Sequence, residues 1–346
     1  MKKIAVVILN WNGADMLSRF LPSVVEFSEA EADVFVADNG STDNSCEVVK
    51  QDFPSVHLIC LPENFGFAEG YNQALQQLDY EYFLLLNSDV EVTAGWLQPM
   101  LCYMEQHPKV AACQPKLMDW KQKSDFEYAG AAGGFIDRYG YPFCRGRIFD
   151  QVETDKAQYD AVVPLFWATG AALMVRSSDW REVGGLDGRF FAHMEEIDFC
   201  WRLRLRGRAI VCIAESKVYH VGGATLAKEN PRKTFLNFRN NLLMLYKNLP
   251  EQELRPVMCI RCLLDWVAAA KFWLTDGKEN AKAVFAARRE YKKMKHEYVG
   301  LRKENLSKAV VQHIPERMSA SLLIQYYFLG RKKFSSLAHL FTAPKA

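Results

Sequence analysis

The sequence predicts an α/β fold with a mostly parallel sheet, followed by a C-terminal region made of helices. In the first 110 residues, short apolar segments alternate with segments of helical periodicity. The apolar segments lack a polar face, which is typical of parallel strands covered by helices on both sides. From about Pro231 only helical periodicity remains. For 346 residues we therefore predict two domains, residues 1–233 and residues 234–346.

The sequence predicts one glycine-rich segment and a series of strands and helices. Residues 128–147 are rich in glycine and predict either a lid beside a site or an ordinary surface loop. The strands are expected at Ile4–Leu9, Ala32–Ala37, Val56–Leu61, Tyr82–Leu86, Ala209–Ile213 and Lys217–His220, and the main helices at Asp15–Glu29, from Ser45, at Ala68–Leu78 and from about Glu195 to Arg206.

Charge is distributed unevenly between the two predicted domains. Residues 234–346 hold 20 Lys and Arg against 9 Asp and Glu, whereas residues 1–233 hold 23 against 32. Two amphipathic segments, 257–274 and 322–341, lie in the basic region, and the second predicts a helix in the plane of a membrane surface. Packing onto the first domain or into a homodimer is the alternative. The basic region therefore predicts a membrane surface or a subunit interface.

Composition excludes several classes of protein. About half of the residues are apolar and 24% are charged, which is typical of a globular chain and excludes disorder. No stretch of eighteen residues is apolar throughout, and the N-terminus lacks the features of a signal peptide. We therefore expect a cytoplasmic protein, and nine cysteines in that compartment do not predict a disulfide framework.

Polar sequences follow three of the first four predicted strands. They are Asn10-Trp11-Asn12-Gly13, Asp38-Asn39-Gly40-Ser41 and Asn87-Ser88-Asp89. In open α/β sheets, ligands bind outside the C-terminal ends of the strands, so these residues should meet at one rim. Asp89 could hold a divalent cation and Asp38 a nucleobase or ribose, although either could simply be a turn former.

Two further clusters are candidates for chemistry. Glu195, Glu196 and Asp198 place three carboxylates within four residues between aromatic side chains, which raises carboxylate basicity and suits a general base. A surface turn paired with nearby arginines is the alternative. His220 precedes two glycines at a strand end, where it could bind a metal or phosphate or be structural. No G-x-G-x-x-G loop, Walker A motif or zinc-ligand cluster is present.

Six short motifs, taken in this order, resemble those of one enzyme family. The motifs are Asn10-Trp11-Asn12-Gly13, Asp38-Asn39-Gly40-Ser41-Thr42-Asp43, Asn64-Phe65-Gly66-Phe67-Ala68 with Asn72, Asn87-Ser88-Asp89, Glu195-Glu196-Ile197-Asp198-Phe199-Cys200-Trp201-Arg202 and Tyr219-His220-Val221-Gly222-Gly223. With these motifs the sequence is similar to family 2, GT-A-type nucleotide-sugar glycosyltransferases, in the subgroup often labelled rhamnosyltransferase-like, over roughly residues 1–250.

The resemblance implies a GT-A fold, with a Rossmann-like, mostly parallel sheet, and an inverting transfer of a sugar from a nucleotide diphosphate. Asn10, Trp11 and Asp38 would line the nucleoside pocket, with Asp38 on the base. Asn64 would lie near the nucleotide. The acceptor would be a hydroxyl of a glycan or a lipid-linked glycan in cell-surface polysaccharide synthesis. A lipid-linked acceptor would favour a peripheral position at the inner face of the cytoplasmic membrane, and no nucleic-acid partner is expected.

The resemblance also implies the groups that act on the diphosphate and the acceptor. Asn87-Ser88-Asp89 matches the family's D-x-D motif, so Asp89 would bind Mg²⁺ or Mn²⁺, with His220 as a further ligand. Glu196 matches the family's base, and we expect Glu195 and Asp198 to position the loop or the acceptor. Two residues depart from the family pattern: Asn87 replaces a charged ligand, and Glu196 is one methylene longer than the family's Asp.

Two other classes of protein remain open at this point. A sugar nucleotidyltransferase shares the alternating sheet, but it needs a basic, glycine-rich loop after the first strand, and the segment from Asn10 to Asp15 has no Lys or Arg. A non-catalytic nucleotide-sugar binding protein would predict loss of the carboxylate cluster, which is present. Donor hydrolysis discriminates the latter from a transferase.

Overall fold

The computed structural model describes residues 2–222 and 230–341, and its strands form two sheets. The strands are β1 Ile4–Asn10, β2 Ala32–Asn39, β3 His57–Leu61, β4 Tyr82–Asn87, β5 Val90–Val92, β6 Val110–Asp119, β7 Gly134–Asp137, β8 Pro142–Cys144, β9 Arg147–Ile148, β10 Gln151–Val152, β11 Ala172–Arg176, β12 Ala209–His220 and β13 Arg317–Met318. The main sheet has the strand order β3-β2-β1-β4-β11-β6-β12-β5, and the smaller one has the order β10-β9-β8-β7-β13.

The helices cover the main sheet and then build the C-terminal region. The elements expected in the first 110 residues are confirmed, with small shifts at their ends. The helices are α1 Ala14–Ser28, α2 Ser45–Asp52, α3 Gly66–Leu75, α4 Leu97–Gln106, α5 Ser177–Val183, α6 Glu195–Leu205, α7 Pro231–Asn248, α8 Glu251–Thr275, α9 Lys278–Met294 and α10 Tyr298–Ser307.

The register of the parallel strands brings the polar sequences to one rim. Strands β3, β2, β1 and β4 run parallel, and Asn10 of β1 lies beside Asp38 of β2. On the other side Leu9 pairs with Asn87 of β4. The rest of the sheet is mixed, because β11 is antiparallel to both of its neighbours. The two short strands expected at 209–213 and 217–220 form one strand, β12, with a change of register between Ile213 and Lys217.

The glycine-rich segment 128–147 is neither a lid nor a surface loop. It contributes β7, β8 and part of β9 to the smaller sheet, and Phe143 and Cys144 are fully buried. Glycine allows this packing: a Cβ at Gly134 would lie 2.0 Å from the ring of Trp167. The glycines that predicted a loop therefore permit close contact between a strand and an indole.

The C-terminal region differs from its sequence interpretation in one segment. Residues 322–341 do not form the continuous amphipathic helix that their periodicity predicted. They form a π-helical turn, Ile324–Phe328, and a 3-10 helix, Phe334–Leu340. Phe334 and Leu337 are buried, and the Phe334 ring lies 4.8 Å from that of Phe135, so these apolar positions cover the smaller sheet.

Helix α7 belongs to the main hydrophobic core through Leu242 to Leu245. The C-terminal region is therefore packed against the α/β part, and the proposed division between residues 233 and 234 stays a prediction. Among the described residues, no helix combines the length and the apolar character that crossing a bilayer requires.

Candidate active site

The ends of β1 and β2 form the first part of the rim. The Asn10 side-chain amide donates to Asp38 Oδ1 at 3.1 Å, and the Ser41 N–H donates to Asp38 Oδ2 at 2.9 Å. Asn10 and Asp38 are both buried, and Asn10 Oδ1 has no hydrogen-bond partner among the described residues. Trp11, the next residue, is half exposed. A buried, unpaired amide oxygen beside an exposed indole suits a ligand that stacks and donates a hydrogen bond.

Asn64 lies close to this part of the rim, but its side chain serves the loop itself. Its Oδ1 accepts hydrogen bonds from the Gly66 N–H at 2.8 Å and from the Asn39 amide at 3.1 Å. Asn39 Oδ1 in turn accepts from the Phe65 N–H at 3.1 Å. These bonds fix the turn into α3, so Asn64 shapes the rim, and its expected proximity to a nucleotide stays a prediction.

Strands β4, β5 and β12 form the second part of the rim. His220 ends β12 and pairs with Val90, so its ring reaches back over the turn that connects β4 to β5. His220 Nε2 lies 3.1 Å from Asp89 Oδ1 and 3.3 Å from Asn87 Nδ2. Three candidates from two separate motifs therefore meet. Gly223, the last residue of the histidine motif, lies outside the described residues.

Glu127 is a fourth member of this cluster and was not expected from the sequence. It is buried, and its Oε1 lies 3.3 Å from His220 Nδ1, while its other oxygen accepts the Ala129 N–H. A Cβ at Gly222 would lie 3.0 Å from the same Oε1, which a larger residue there would crowd. The only signal in the sequence is an acid between two aromatic residues, which is too weak to single it out.

The electrostatics of the cluster follow from burial opposed by pairing. Burial alone would lower the pKa of His220, but the charge of Glu127 and the hydrogen bonds with Asp89 and Glu127 outweigh it and raise that pKa to about 10. Burial would raise the pKa of Asp89, but the hydrogen bond and charge of His220 lower it overall. Without a bound cation, His220 is thus the positive charge that offsets the two acids.

The cluster fits a divalent cation in part. Among the residues that the structure describes, no three His, Cys, Asp or Glu side chains come together as a ready metal-binding group. Asp89 Oδ1 and His220 Nε2 are 3.1 Å apart. Two ligands bound at right angles about 2.1 Å from one ion would be roughly 3.0 Å apart. The pair fits a cation that takes its remaining ligands from phosphate oxygens, water or the Asn87 amide oxygen.

The first turn of α6 carries the other candidate carboxylates. Glu195 is buried and Glu196 is partly buried, and neither Oε2 atom has a hydrogen-bond partner among the described residues. Burial raises the pKa of Glu196 to about 7, and burial together with the charge of Glu196 raises that of Glu195 well above its usual value. A carboxylate with a free oxygen and a pKa near neutrality has the properties of a general base.

Asp198, two residues further on, has a different environment. It is fully buried, and its Oδ2 binds Arg202 at 2.9 Å and Lys247 at 2.7 Å. Its Oδ1 accepts from the Asn248 amide at 2.8 Å. Lys247 also binds Asp187 at 2.7 Å. Asp198 therefore holds α6 against α7 with both oxygens paired, and its expected role of positioning the loop or the acceptor stays a prediction.

Residues 170 and 171 connect the two parts of the site. The Asn87 N–H donates to the Ala171 carbonyl at 3.0 Å. A Cβ at Gly170 would lie 3.7 Å from Cβ of Glu196. The end of β4 and the start of α6 are therefore separated by only this short segment, and the cation-binding candidates and the carboxylate with the free oxygen share one rim.

Comparison with solved structures defines the class of fold. The structure of GalNAc-T7 with UDP, GalNAc and Mn²⁺ matches with a TM-score of 0.58 at 14% identity, covering 87% of this chain and 57% of that one. The structure of S. aureus TarS in complex with UDP-GlcNAc matches with a TM-score of 0.56 at 14% identity, covering 89% of each chain. The chain has the GT-A fold that the resemblance implied.

Sequence comparison then shows which family and which relatives the chain is similar to. Residues 5–141 match the model of glycosyl transferase family 2. An N-acetylglucosaminyl-diphospho-decaprenol L-rhamnosyltransferase of Mycobacterium tuberculosis is 27% identical over 235 residues, covering 63% of this chain and 75% of the relative. The similarity to glycosyl transferase family 2 thus covers residues 5–141, and the similarity to a rhamnosyltransferase covers 63% of the chain.

Proposed function

We propose that the protein is an inverting, cation-dependent glycosyltransferase that moves a sugar from a nucleotide diphosphate to a hydroxyl of a glycan or lipid-linked acceptor. The observation that carries this proposal is the shared rim, where Asp89 and His220 stand 3.1 Å apart and Glu196 offers an unpaired oxygen. The similarity to family 2 and to a rhamnosyltransferase supports the same class of reaction.

Glu196 takes the proton in the proposed reaction. The acceptor oxygen forms a bond to the anomeric carbon while the bond from that carbon to the diphosphate breaks. The acceptor proton passes to Glu196, and the electron pair of the broken bond leaves with the nucleoside diphosphate. Attack from the face opposite the leaving group inverts the configuration. Burial and the charge of Glu196 raise the pKa of Glu195 well above its usual value and so disfavour its charged form, and we assign Glu195 to support the turn rather than to share the proton transfer.

Asp89 and His220 would hold Mg²⁺ or Mn²⁺, with Asn87 beside them. Such an ion neutralises charge that builds up on a leaving diphosphate. We assign Glu127 as a positioning residue, because it contacts the ring nitrogen of His220 that faces away from Asp89. A carboxylate in that place fixes the orientation of a histidine ligand.

Asn10, Trp11 and Asp38 are assigned to the nucleoside, and Asn64 to the shape of the same pocket. Asp38 already binds Asn10 and Ser41, so it would meet the base with the rest of its lone pairs. The exposed Trp11 offers a face for stacking. A lipid-linked acceptor would bring the domain to the inner face of the cytoplasmic membrane.

Release of nucleoside diphosphate tests the function directly. The full-length protein is incubated with uridine, thymidine and guanosine diphosphate sugars and Mn²⁺, and slow transfer to water is followed. We expect one base to be preferred and EDTA to stop the reaction. A thermal shift without product would indicate a binding protein, and consumption of nucleoside triphosphate with a sugar phosphate would indicate a nucleotidyltransferase.

A further inference from the structure

Helix α8 turns its apolar residues outward. The side chains at positions 263, 266, 267, 273 and 274 recur at intervals of three, four and seven and so lie on one side of the helix. We call this surface the tryptophan face: Leu263 (65% exposed), Trp266 (61%), Val267 (66%), Trp273 (70%) and Leu274 (85%). A contiguous set of this kind on a helix surface marks an interaction site.

The orientation of α8 is fixed by charges on its opposite side. Arg261 and Asp265 are fully buried and bind each other at 3.1 Å. Arg261 also donates to the Tyr139 carbonyl at 2.8 Å, and Arg288 of α9 binds the other oxygen of Asp265. Rotating α8 to bury its tryptophans would break these bonds and leave buried charges unpaired, which is strongly unfavourable. The exposed apolar face is therefore a consequence of how the helix is anchored.

Neighbouring segments extend the tryptophan face on both sides. On one side the ring of Phe285 in α9 packs edge-on against Trp266 at 5.4 Å. On the other side Lys271 binds the Tyr327 hydroxyl at 3.2 Å, and the adjacent Phe328 is 82% exposed. Three separate segments thus present aromatic side chains around one helix.

Basic residues accompany these aromatic groups. Lys271 and Lys278 are exposed at the C-terminal half of α8 and the start of α9, where the acids Asp276 and Glu279 are exposed as well. The basic excess lies in the segment 327–333, which carries Arg331, Lys332 and Lys333 with no acid. Interfaces between proteins are depleted of lysine, whereas surfaces that bind anionic membranes combine lysine with tryptophan and other apolar groups. Charge therefore favours a bilayer over a second copy of the chain.

We propose that the tryptophan face docks in the plane of an anionic phospholipid bilayer, with Trp266 and Trp273 at the level of the headgroups. The inference names the partner of the C-terminal region and rests on the proposed function only for its biological purpose, which is to hold the site near a lipid-linked acceptor. Indole rings prefer this interfacial depth, and the basic residues add attraction to anionic lipid.

Flotation with vesicles tests the proposal without any donor. The full-length protein is mixed at low salt with vesicles of phosphatidylethanolamine and phosphatidylglycerol, or of phosphatidylcholine alone. We expect binding to the anionic vesicles with a blue shift of tryptophan fluorescence, and less binding at high salt. The double variant Trp266→Gln/Trp273→Gln should bind at least about tenfold more weakly. Val299→Gln, at another exposed apolar position, should bind as the unaltered protein does.

Two results would overturn the proposal. One is that the unaltered protein stays with the aqueous fraction at low salt. The other is a concentration-dependent dimer in sedimentation that Trp266→Gln/Trp273→Gln abolishes, because the occupant would then be a second copy. Donor hydrolysis in solution is measured on the same samples. Vesicle binding without donor hydrolysis would contradict the proposed function and support the membrane-docking proposal. Donor hydrolysis without vesicle binding would support the proposed function and contradict membrane docking.

Discussion

Asp89 and Glu196 are both carboxylates at the rim of the main sheet, but their surroundings are opposite. Asp89 contacts His220, which in turn contacts Glu127. The pKa of Asp89 is lowered although the side chain is buried. Glu196 has an oxygen with no partner among the described residues, and burial raises its pKa to about 7. A paired carboxylate keeps its charge, as a cation ligand must, whereas an unpaired one can exchange a proton. The same side-chain chemistry thus suits two tasks because the local pairing differs.

The largest effect is expected at the unpaired carboxylate. Glu196→Gln keeps the size of the side chain and removes its charge, so it should lower the transfer rate by roughly 10²–10⁴-fold, since a general base contributes about that much. Donor affinity should remain nearly unchanged, because the donor groups lie at the other part of the rim. Steady-state transfer rates and donor titration check this. If Glu196→Gln keeps more than about a tenth of the rate while Glu195→Gln does not, the base is the wrong carboxylate.

The next effect concerns stability and contrasts two acids on one helical turn. Asp198→Asn removes the charge that pairs with Arg202 and Lys247, so it should reduce the free energy of unfolding by roughly 3–5 kcal/mol. Glu195→Gln is the matched control: its Oε2 has no hydrogen-bond partner among the described residues and its raised pKa disfavours the charged form, so the substitution should be tolerated. Chemical denaturation measures both. Equal loss in the two variants would contradict the division into paired and unpaired acids.

A smaller effect is expected at Glu127. Glu127→Gln should weaken Mn²⁺ binding about 10–100-fold, the usual consequence of removing a carboxylate that orients a histidine ligand. Titration calorimetry with Mn²⁺ and nucleoside diphosphate measures the affinity, and the denaturation midpoint shows whether the fold is intact. Unchanged affinity in a folded variant would mean that Glu127 only fills space beside Gly222.

The fold of the first 110 residues could be predicted because local patterns determine it. Runs such as Ile4–Leu9 have no polar face, and the residues after them end the strands. Residues 128–147 could not be predicted, because glycines there permit contacts with side chains from other parts of the chain, as Gly134 does with Trp167. The prediction of a helix for residues 322–341 was wrong for a similar reason. The periodic apolar residues of this segment lie in short irregular turns, where Phe334 and Phe341 pack against Phe135.

The site shows the same limit. Asn87, Asp89 and His220 were predictable because each lies at the end of a strand or just after it, and parallel or adjacent strands end at one rim. Glu127 was missed because its position depends on the return of the chain after β6. The residue pattern alone did not separate Glu196 from Asp198, and only the family resemblance assigned the base to Glu196. The partner that distinguishes them, Lys247, lies 49 residues away from Asp198 on α7 and has no motif that signals its role.

The smallest effect is expected in the pH dependence of kcat/KM. This measurement distinguishes the environment of Glu196 from that of Asp89 most directly. A carboxylate base acts only when ionised, and burial places the pKa of Glu196 at about 7. The ratio kcat/KM should therefore rise about tenfold per pH unit below that value and level off above it. Glu195→Gln should leave both the shape and the midpoint close to those of the unaltered protein, because burial, and not the charge of Glu195, raises the pKa of Glu196. Donor affinity measured over the same range reports the paired half, where Asp89 is already ionised because its pKa is lowered. A profile that is flat from about pH 6 to pH 8, with donor affinity constant, would show that Glu196 is not the titrating base.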